Sequence, residues 1–554
     1  LLVILLLMLV GRVMSLQVLD VGKGAEFLKR EGAMRSLRTA EIPAYRGVIS
    51  DRRGEPLAVS TPVISIWADP AVLARSTRLA ELAEALDMKL DALEERLERY
   101  RGKQFMYLQR HRVPADARTV LAQRFEGVYG EREYRRFYPA GEVAAQLLGI
   151  TNVDGDGIEG LELAYNDWLQ GRPGRKRYIK DLHGEVARDI GVIEPAVPGN
   201  DLVLSIDLRL QYLQHRELQR AVLQSGAESG SIVTLDARTG EVLAMVNYPG
   251  FNPNNPGSRK QRSSMRNRAI VDVYEPGSTM KTLTLVAALE SGRYRTDSLI
   301  DTSPGYIHVS GKTYKDPRNY GTVSLSRVIE KSSQVGVTRL AMDLGYEPVL
   351  GVLSRFGLGQ PLGTGFPGER GGDLPHRPRW HISEQVSLAF GYGIMVSPLQ
   401  MAHAYSVFAN GGQQLPVSLL RVEDELPPAS EVVAPAIARE VLEVLHAVTG
   451  EHGTARRARV PGYRVGGKTG TVHKVGAGGY DEERYVALFA GIAPIDNPRL
   501  VTVVVINDPK GEDHGGGSAA APVFSRVTRD ALRLLNIPPT EQVATPERAL
   551  AAVA

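Results

Sequence analysis

The 554-residue chain contains no cysteine. Disulfides, thiol nucleophiles and cysteine-ligated metals are therefore excluded, and the redox compartment stays open, because a thiol-free chain suits reducing and oxidising surroundings alike. A surplus of one charge sign is missing too. Sixty-six Lys and Arg against 63 Asp and Glu leave a formal charge of +3, which offers nothing to a nucleic-acid partner. There is no internal repeat, no low-complexity tract and no His-Glu-x-x-His element. His376 and His381, in a Pro/Arg-rich stretch, read as surface residues rather than metal ligands. What is present, 43% hydrophobic and 23% charged residues, is ordinary globular composition. The length allows roughly two to four domains.

Long hydrophobic runs are also scarce, with one exception at the start, "LLVILLLMLVGRVMSLQVL". Ten apolar residues precede Gly11 and Arg12, and the segment stays largely apolar to Leu19. A single membrane span takes about 20 apolar residues. Since the chain opens on Leu rather than Met and no Ala-x-Ala-like cleavage site follows, the expectation is an uncleaved anchor over 1–19 whose start lies upstream. A signal-peptide core or a buried helix is the alternative. With no second run, everything after about residue 20 is expected on one side of a membrane.

Residues 20–195 form a charged, mixed block. "RSTRLAELAEALDMKLDALEERLERY" places Leu79, Leu82, Leu86, Leu90, Leu93 and Leu97 at helical spacing, which predicts an amphipathic helix or helix pair with plain core packing. "IPAYRGVISDRRGEPLAVS" predicts two short strands around "DRRG", and "GIEGLELAYNDWLQGRPG" a glycine-punctuated entry into a helix. Nothing in the block pairs a nucleophile with a base. A Pro/Gly/Asn break in "VIEPAVPGNDLVLSID" marks a domain boundary near 195, and a larger domain is expected over 196–537, with a loosely ordered tail over 538–554. In that domain "SIVTLDARTGEVLAMVNY" and "RYVALFAGIAPIDNPRLVTVVVIND" each read as strand, turn, strand. Helical stretches lie between them, including "TLTLVAALESG" and "VSPLQMAHAYSVFANGG". The fold class expected is α+β: an antiparallel sheet built from the two ends of the domain and flanked by helices.

The candidate chemistry begins at "YEPGSTMKTLTL". Ser278 and Lys281 are three residues apart, so on a helix they share one face. A serine hydroxyl needs an adjacent base, and a lysine serves only once its ammonium is deprotonated by burial or neighbouring positive charge. The plain structural alternative is that Ser278 caps the helix and Lys281 points to water. This is the sole Ser-x-x-Lys in the chain. Two further elements follow in order: "EKSSQVGVTRL" with Ser332 and Gln334, and "VGGKTGTVHKV" with Lys468, Thr469, Gly470 and Thr471. "GYRVGGKT" also fits the P-loop pattern Gly-x-x-x-x-Gly-Lys-Thr, and "LVTVVVIND" ends on Asp508 as a Walker B strand would. A P-loop lysine must open a helix, whereas "GTVHKVGAGGYDEERYVALF" reads as a β-hairpin, which argues against nucleotide binding.

Ser-x-x-Lys, a Ser-x-Asn-like element and Lys-Thr-Gly in this order resemble the penicilloyl-serine transferases. "IPAYRGVISDRRGEPLAVSTP", "RRFYPAGEVAAQLLG", "GIEGLELAYNDWLQGRPG" and "AFGYGIMVSPLQMAHAYSVFANGG" extend the likeness over most of 40–510. They make the chain similar to class B penicillin-binding proteins of the cell-division FtsI type. The resemblance implies a peptidoglycan D,D-transpeptidase with an N-terminal pedestal over 20–195, a penicillin-binding domain over 196–537 and no metal or organic cofactor. It implies Ser278 as nucleophile toward D-Ala-D-Ala stem peptides and β-lactams, Lys281 as base, Ser332 as proton relay, and Lys468, Thr469 and Thr471 as the grip on a substrate carboxylate. Gly470 completes the third element, and the backbone amides of Ser278 and Thr471 would form the oxyanion hole. It further implies an inner-membrane protein with its catalytic domain outside, working with an FtsW-type glycosyltransferase and other division proteins at the septum. Gln334 departs from the usual Asn by one methylene, at a position where the amide is expected to meet Lys281 and the substrate backbone. The rival readings are a D,D-carboxypeptidase or β-lactamase, and a non-catalytic division scaffold or β-lactam sensor.

Overall fold

The computed structural model describes residues 2–17, 37–180, 186–255, 263–423, 425–476, 479–511 and 513–540. Two compact units emerge. One gathers Leu1–Val48, Ser60–Phe137 and Asp167–Asp201; the other gathers Ile49–Val59, Tyr138–Asn166 and Leu202–Ala554.

The second unit is built on a five-stranded antiparallel sheet. Its strands are β1 (Ser229–Asp236), β2 (Val242–Tyr248), β3 (Gly466–Gly476), β4 (Gly479–Ala493) and β5 (Leu500–Asn507), in the order β2–β1–β5–β4–β3. The two ends of the domain meet where β1 pairs with β5, Val233 opposite Val503. The strands β1 and β5 are buried almost throughout, so both faces of the sheet must be covered. Helices α1 (Leu208–Gln224) and α5 (Ala521–Leu534) pack on the sheet and on each other, with the Phe489 and Phe524 rings 4.8 Å apart. The helical insert supplies the rest: α2 (Lys281–Glu290), α3 (Gln334–Leu344) and α4 (Pro398–Ala409). Helix α4 starts on a capping box in which the Ser397 hydroxyl accepts from the Gln400 N–H, and its side chains are all buried against the sheet and neighbouring helices.

The single boundary near residue 195 does not describe how the units divide. Ile49–Ser50 pairs in parallel with Leu202–Val203, the Leu208 N–H donates to the Asp51 carboxylate at 3.0 Å, and Arg52 meets Glu241 at 3.2 Å. The Gln146 amide donates to the carbonyls of Pro249 and Ser264, and that of Gln211 to Val143 and Met245. These partners lie far apart in the chain, which is why a local composition break does not report them.

In the first unit the leucine stripe forms a helix pair, Leu79–Ala85 and Leu90–Arg99. Leu82, Leu86, Leu93 and Leu97 are buried with Ile66 and Met106, and Leu79 and Leu90 pack at the margin. The strands around "DRRG" are unequal: Ile49–Ser50 belongs to the second unit, and the 13-residue Pro56–Ala68 is divided, with Ser60 onward in the first. A separate three-stranded antiparallel sheet joins Leu37–Ile42, Gly174–Lys180 and Val186–Glu194 in that order. The glycine-punctuated segment forms two short helices, Gly160–Ala164, which belongs to the second unit, and Asn166–Leu169.

The apolar start forms a helix over Leu2–Gln17, 16 residues long. Among the described residues no helix is long and apolar enough to cross a membrane, so the membrane helix expected over 1–19 is not shown. The expected loose tail begins at 538, and its residues 541–554 lie outside the described residues.

Candidate active site

The segment before Ser278 is a buried turn held from two sides. The Gly277 N–H donates to the Gly391 carbonyl at 3.1 Å, and the Glu275 carboxylate accepts from the Gly393 N–H at 2.7 Å and the Tyr480 hydroxyl at 2.9 Å. Gly277 has φ +54°, and a Cβ there would lie 2.3 Å from the Val472 side chain, so only glycine fits. Gly277–Met280 is a 3-10 turn running directly into α2. Residues 281–289 of α2 are buried all round, which makes this helix the core of the insert. The cap positions of turn and helix are Pro276 and Met280, neither with a side-chain cap bond. Ser278 is therefore not the cap; it is half-buried, with its hydroxyl one turn from Lys281.

Lys281 does not point to water. It is 1% exposed, its amine donates to the Ser332 carbonyl at 2.7 Å and lies 3.2 Å from the Ser332 hydroxyl. Burial pushes its pKa down to about 7, with the Asp316 carboxylate opposing the shift. Lys468, fully buried on β3, donates to the same Ser332 hydroxyl at 3.0 Å and to the Thr469 carbonyl at 3.2 Å. Burial holds this amine well below the usual lysine range, and the nearby Lys281 pushes it the same way. One hydroxyl thus sits between two amines that cannot both carry a proton cheaply.

Ser332 is placed by its backbone. Its φ of +55° ends the helix Leu325–Glu330, after which Ser333 caps α3 by accepting from the Gly336 N–H at 2.9 Å. Gln334 opens α3, with its N–H donating to Asp316 at 2.6 Å. Its side chain is exposed and, among the described residues, makes no hydrogen bond to Lys281, contrary to expectation. The Lys281 amine is turned onto Ser332 instead.

The third element lies on β3, the edge strand, whose outer backbone groups are not used by the sheet. Thr471 accepts from the Gly516 N–H at 2.9 Å, and Thr469 faces Thr454 at 3.4 Å. A Cβ on Gly470 would lie 2.1 Å from Leu488 and 2.9 Å from the Pro276 carbonyl, so glycine lets strand and nucleophile turn approach each other. Lys468 stands mid-strand and opens no helix, which removes the P-loop reading. The hairpin expected after it is present, β3 pairing with β4.

All eight sequence-predicted residues therefore lie on the nucleophile turn and α2, the turn leading into α3 and its first residue, or β3. Sequence reasoning missed Asp316, Glu275 and Tyr405; the Tyr405 hydroxyl is 2.9 Å from the Thr279 carbonyl and 3.0 Å from the Thr282 hydroxyl. No spacing rule marks any of them. His376 and His381 are exposed, and among the described residues no cluster of three or more His, Asp or Glu could hold a metal ion.

The penicillin-binding protein transpeptidase domain model matches residues 230–529, and the penicillin-binding protein dimerisation domain model matches 41–204. The chain belongs to the penicillin-binding protein family. Among relatives, it is 42% identical over 537 residues to peptidoglycan D,D-transpeptidase FtsI of Escherichia coli K12, covering 96% of this chain and 90% of the relative. It is 41% identical over 530 residues to the probable peptidoglycan D,D-transpeptidase PbpC of Pseudomonas aeruginosa, covering 96% and 93%. Among solved structures, penicillin-binding protein 3 of Mycobacterium tuberculosis with aztreonam aligns at TM-score 0.70 and 29% identity, over 91% of this chain and 99% of that one. The FtsI type of penicillin-binding protein read from the motifs is the type of the Escherichia coli relative.

Proposed function

We propose that this penicillin-binding protein is a peptidoglycan D,D-transpeptidase working through an acyl-enzyme on Ser278. The observation that carries the reading is the buried Lys281 amine, held near neutrality one helical turn from Ser278 and joined to Lys468 through the Ser332 hydroxyl. The Ser278 hydroxyl attacks the carbonyl of the penultimate D-Ala, passing its proton to the free Lys281 amine. The tetrahedral oxyanion is met by the backbone N–H groups of Ser278 and Thr471. As the C–N bond breaks, the proton leaves the Lys281 ammonium through the Ser332 hydroxyl to the departing amine, and D-Ala is released. A neighbouring stem's amine then attacks the ester, its proton follows the reverse route, and a new amide forms while Ser278 regains its hydrogen.

Lys468, Thr469 and Thr471 bind the substrate's terminal carboxylate, with Gln334 contacting its backbone. An arriving carboxylate favours the ammonium form of Lys468, so the proton the two amines contend for is drawn to Lys468 and Lys281 is left as free base. The long unit that precedes the sheet serves as pedestal. A membrane anchor at the apolar N-terminus, a catalytic domain outside the membrane, a septal site of action and an FtsW-type partner complete the reading, on the likeness to FtsI.

Labelling with a fluorescent penicillin, alongside Ser278→Ala, tests it. The expected result is an adduct on the peptide containing Ser278 that disappears in the variant. Folded wild-type protein that takes no label would overturn the reading in favour of a scaffold. Transfer to water but never to an added acceptor amine would make it a carboxypeptidase.

A further inference from the structure

Asp316 belongs to none of the three sequence elements. It follows the strand Lys312–Lys315, the second arm of a hairpin with Tyr306–Val309. Its two oxygens are divided over one turn. One accepts from the Ser333 hydroxyl at 2.5 Å; the other accepts from the backbone N–H groups of Gln334 at 2.6 Å and Val335 at 3.3 Å. A carboxylate suits the start of α3, where donors are unpaired and the helix dipole favours negative charge. Yet Ser333 already caps that helix. What Asp316 adds is a tie from an outside hairpin to the residue next to Ser332.

That tie matters because Ser332 adopts φ +55°, a conformation uncommon for residues other than glycine, which must be held by its surroundings. Among the described residues the hydroxyl so presented is the one atom hydrogen-bonded to both amines. The Asp316 carboxylate, from the hairpin, also favours the charged form of Lys281, and Lys281 in turn disfavours that of Lys468, on β3. The Phe390 ring, 5.2 Å from the Lys281 amine, closes another side. Acylation converts the Lys281 amine to an ammonium in this buried place, and Asp316 is the negative charge that favours it.

We propose that Asp316 is a positioning residue for acyl transfer, its carboxylate holding the Ser332–Ser333 turn so that the relay hydroxyl stays between the two amines, and stabilising the ammonium that Lys281 becomes. The proposal rests on the transpeptidase reading of the same site.

The test is the second-order rate of acylation by a fluorescent penicillin, from about pH 5 to about pH 9, for the full chain and for Asp316→Asn, Asp316→Glu and Ser333→Ala. Asp316→Asn is expected to lose about 10- to 100-fold of the plateau rate. Its acid limb should fall by on the order of half to one pH unit, since the charge favouring the ammonium is gone. Asp316→Glu should restore the limb and part of the rate. Ser333→Ala, which removes one of the three bonds to Asp316 together with the cap of α3 but keeps the charge, should slow acylation without moving the limb. An unmoved limb in Asp316→Asn overturns the proposal, because loss of structure alone lowers rate and not limb. Should that variant not fold, Ser333→Ala acylating at the wild-type rate overturns it instead. A labelled wild type with indifferent variants sinks this proposal only; an unlabelled wild type sinks the transpeptidase reading and takes this one with it.

Discussion

At the scale of single residues, the chemistry turns on where a proton sits. Burial depresses the Lys281 pKa to about 7, against the pull of Asp316. As pH rises through that value the free base appears, so acylation should climb across the region near pH 7 and level off above it, read as a rate-against-pH profile. Lys281→Arg cannot lose its proton and should fall by about 100- to 10,000-fold while still folding. The sign for stability follows from the same shift. The folded pKa lies below the unfolded one, so between about 7 and the ordinary lysine value the unfolded chain holds a proton the folded chain has shed, and stability rises with pH across that window. Lys468 is displaced in the same direction by burial and by Lys281. The residue types of the site could be read from the sequence because Ser-x-x-Lys and Lys-Thr-Gly are short patterns. The protonation of Lys281 could not, since the atoms that bury it come from other segments.

Among elements, the edge strand β3 and the nucleophile turn decide the geometry together. Gly470 is where they touch, with the Pro276 carbonyl 2.9 Å and a Leu488 methyl 2.1 Å from any added Cβ. The leucine can turn aside, but the carbonyl belongs to the turn that carries Ser278. Gly470→Ala should therefore cost about 1–3 kcal/mol of stability in chemical unfolding. Its acylation rate should drop by on the order of 100-fold, more than the lost stability explains, because the nucleophile is displaced. An equal effect on both would mean that the strand, and not the turn, gives way. The hairpin β3–β4 was readable from alternation and glycines. The 3-10 character of Gly277–Met280 was not, since a serine at a helix start matches an N-cap pattern equally well.

For the whole molecule, the sheet unit recruits chain from well before its own start. Ile49–Val59 and Tyr138–Asn166 belong to it, bound through Asp51, Arg52 and Gln146. A chain beginning at Leu202 keeps all eight site residues but leaves the Gln211 amide without the Val143 carbonyl and Glu241 without Arg52. It should fold and take penicillin, yet melt at a lower temperature, by at most about 2–4 °C for each kcal/mol lost. Equal melting temperatures for the short chain and the full chain would show these segments to be passengers.

The amino-acid sequence by itself determined the reaction class and the alternation of strands and helices. Both are written in short-range patterns: a nucleophile and base one turn apart, a Lys-Thr-Gly run, periodicities of two and of 3.6. Only the tertiary structure decided which units the early segments join, that Ser278 does not cap its turn, and which way the pKa values of the two lysines move. Each of these depends on atoms brought together from distant parts of the chain. Asp316, from a hairpin upstream of the Ser333–Gln334 turn, acts on Lys281, and Lys281 acts on Lys468, from the far edge of the sheet, only once the fold has closed around them.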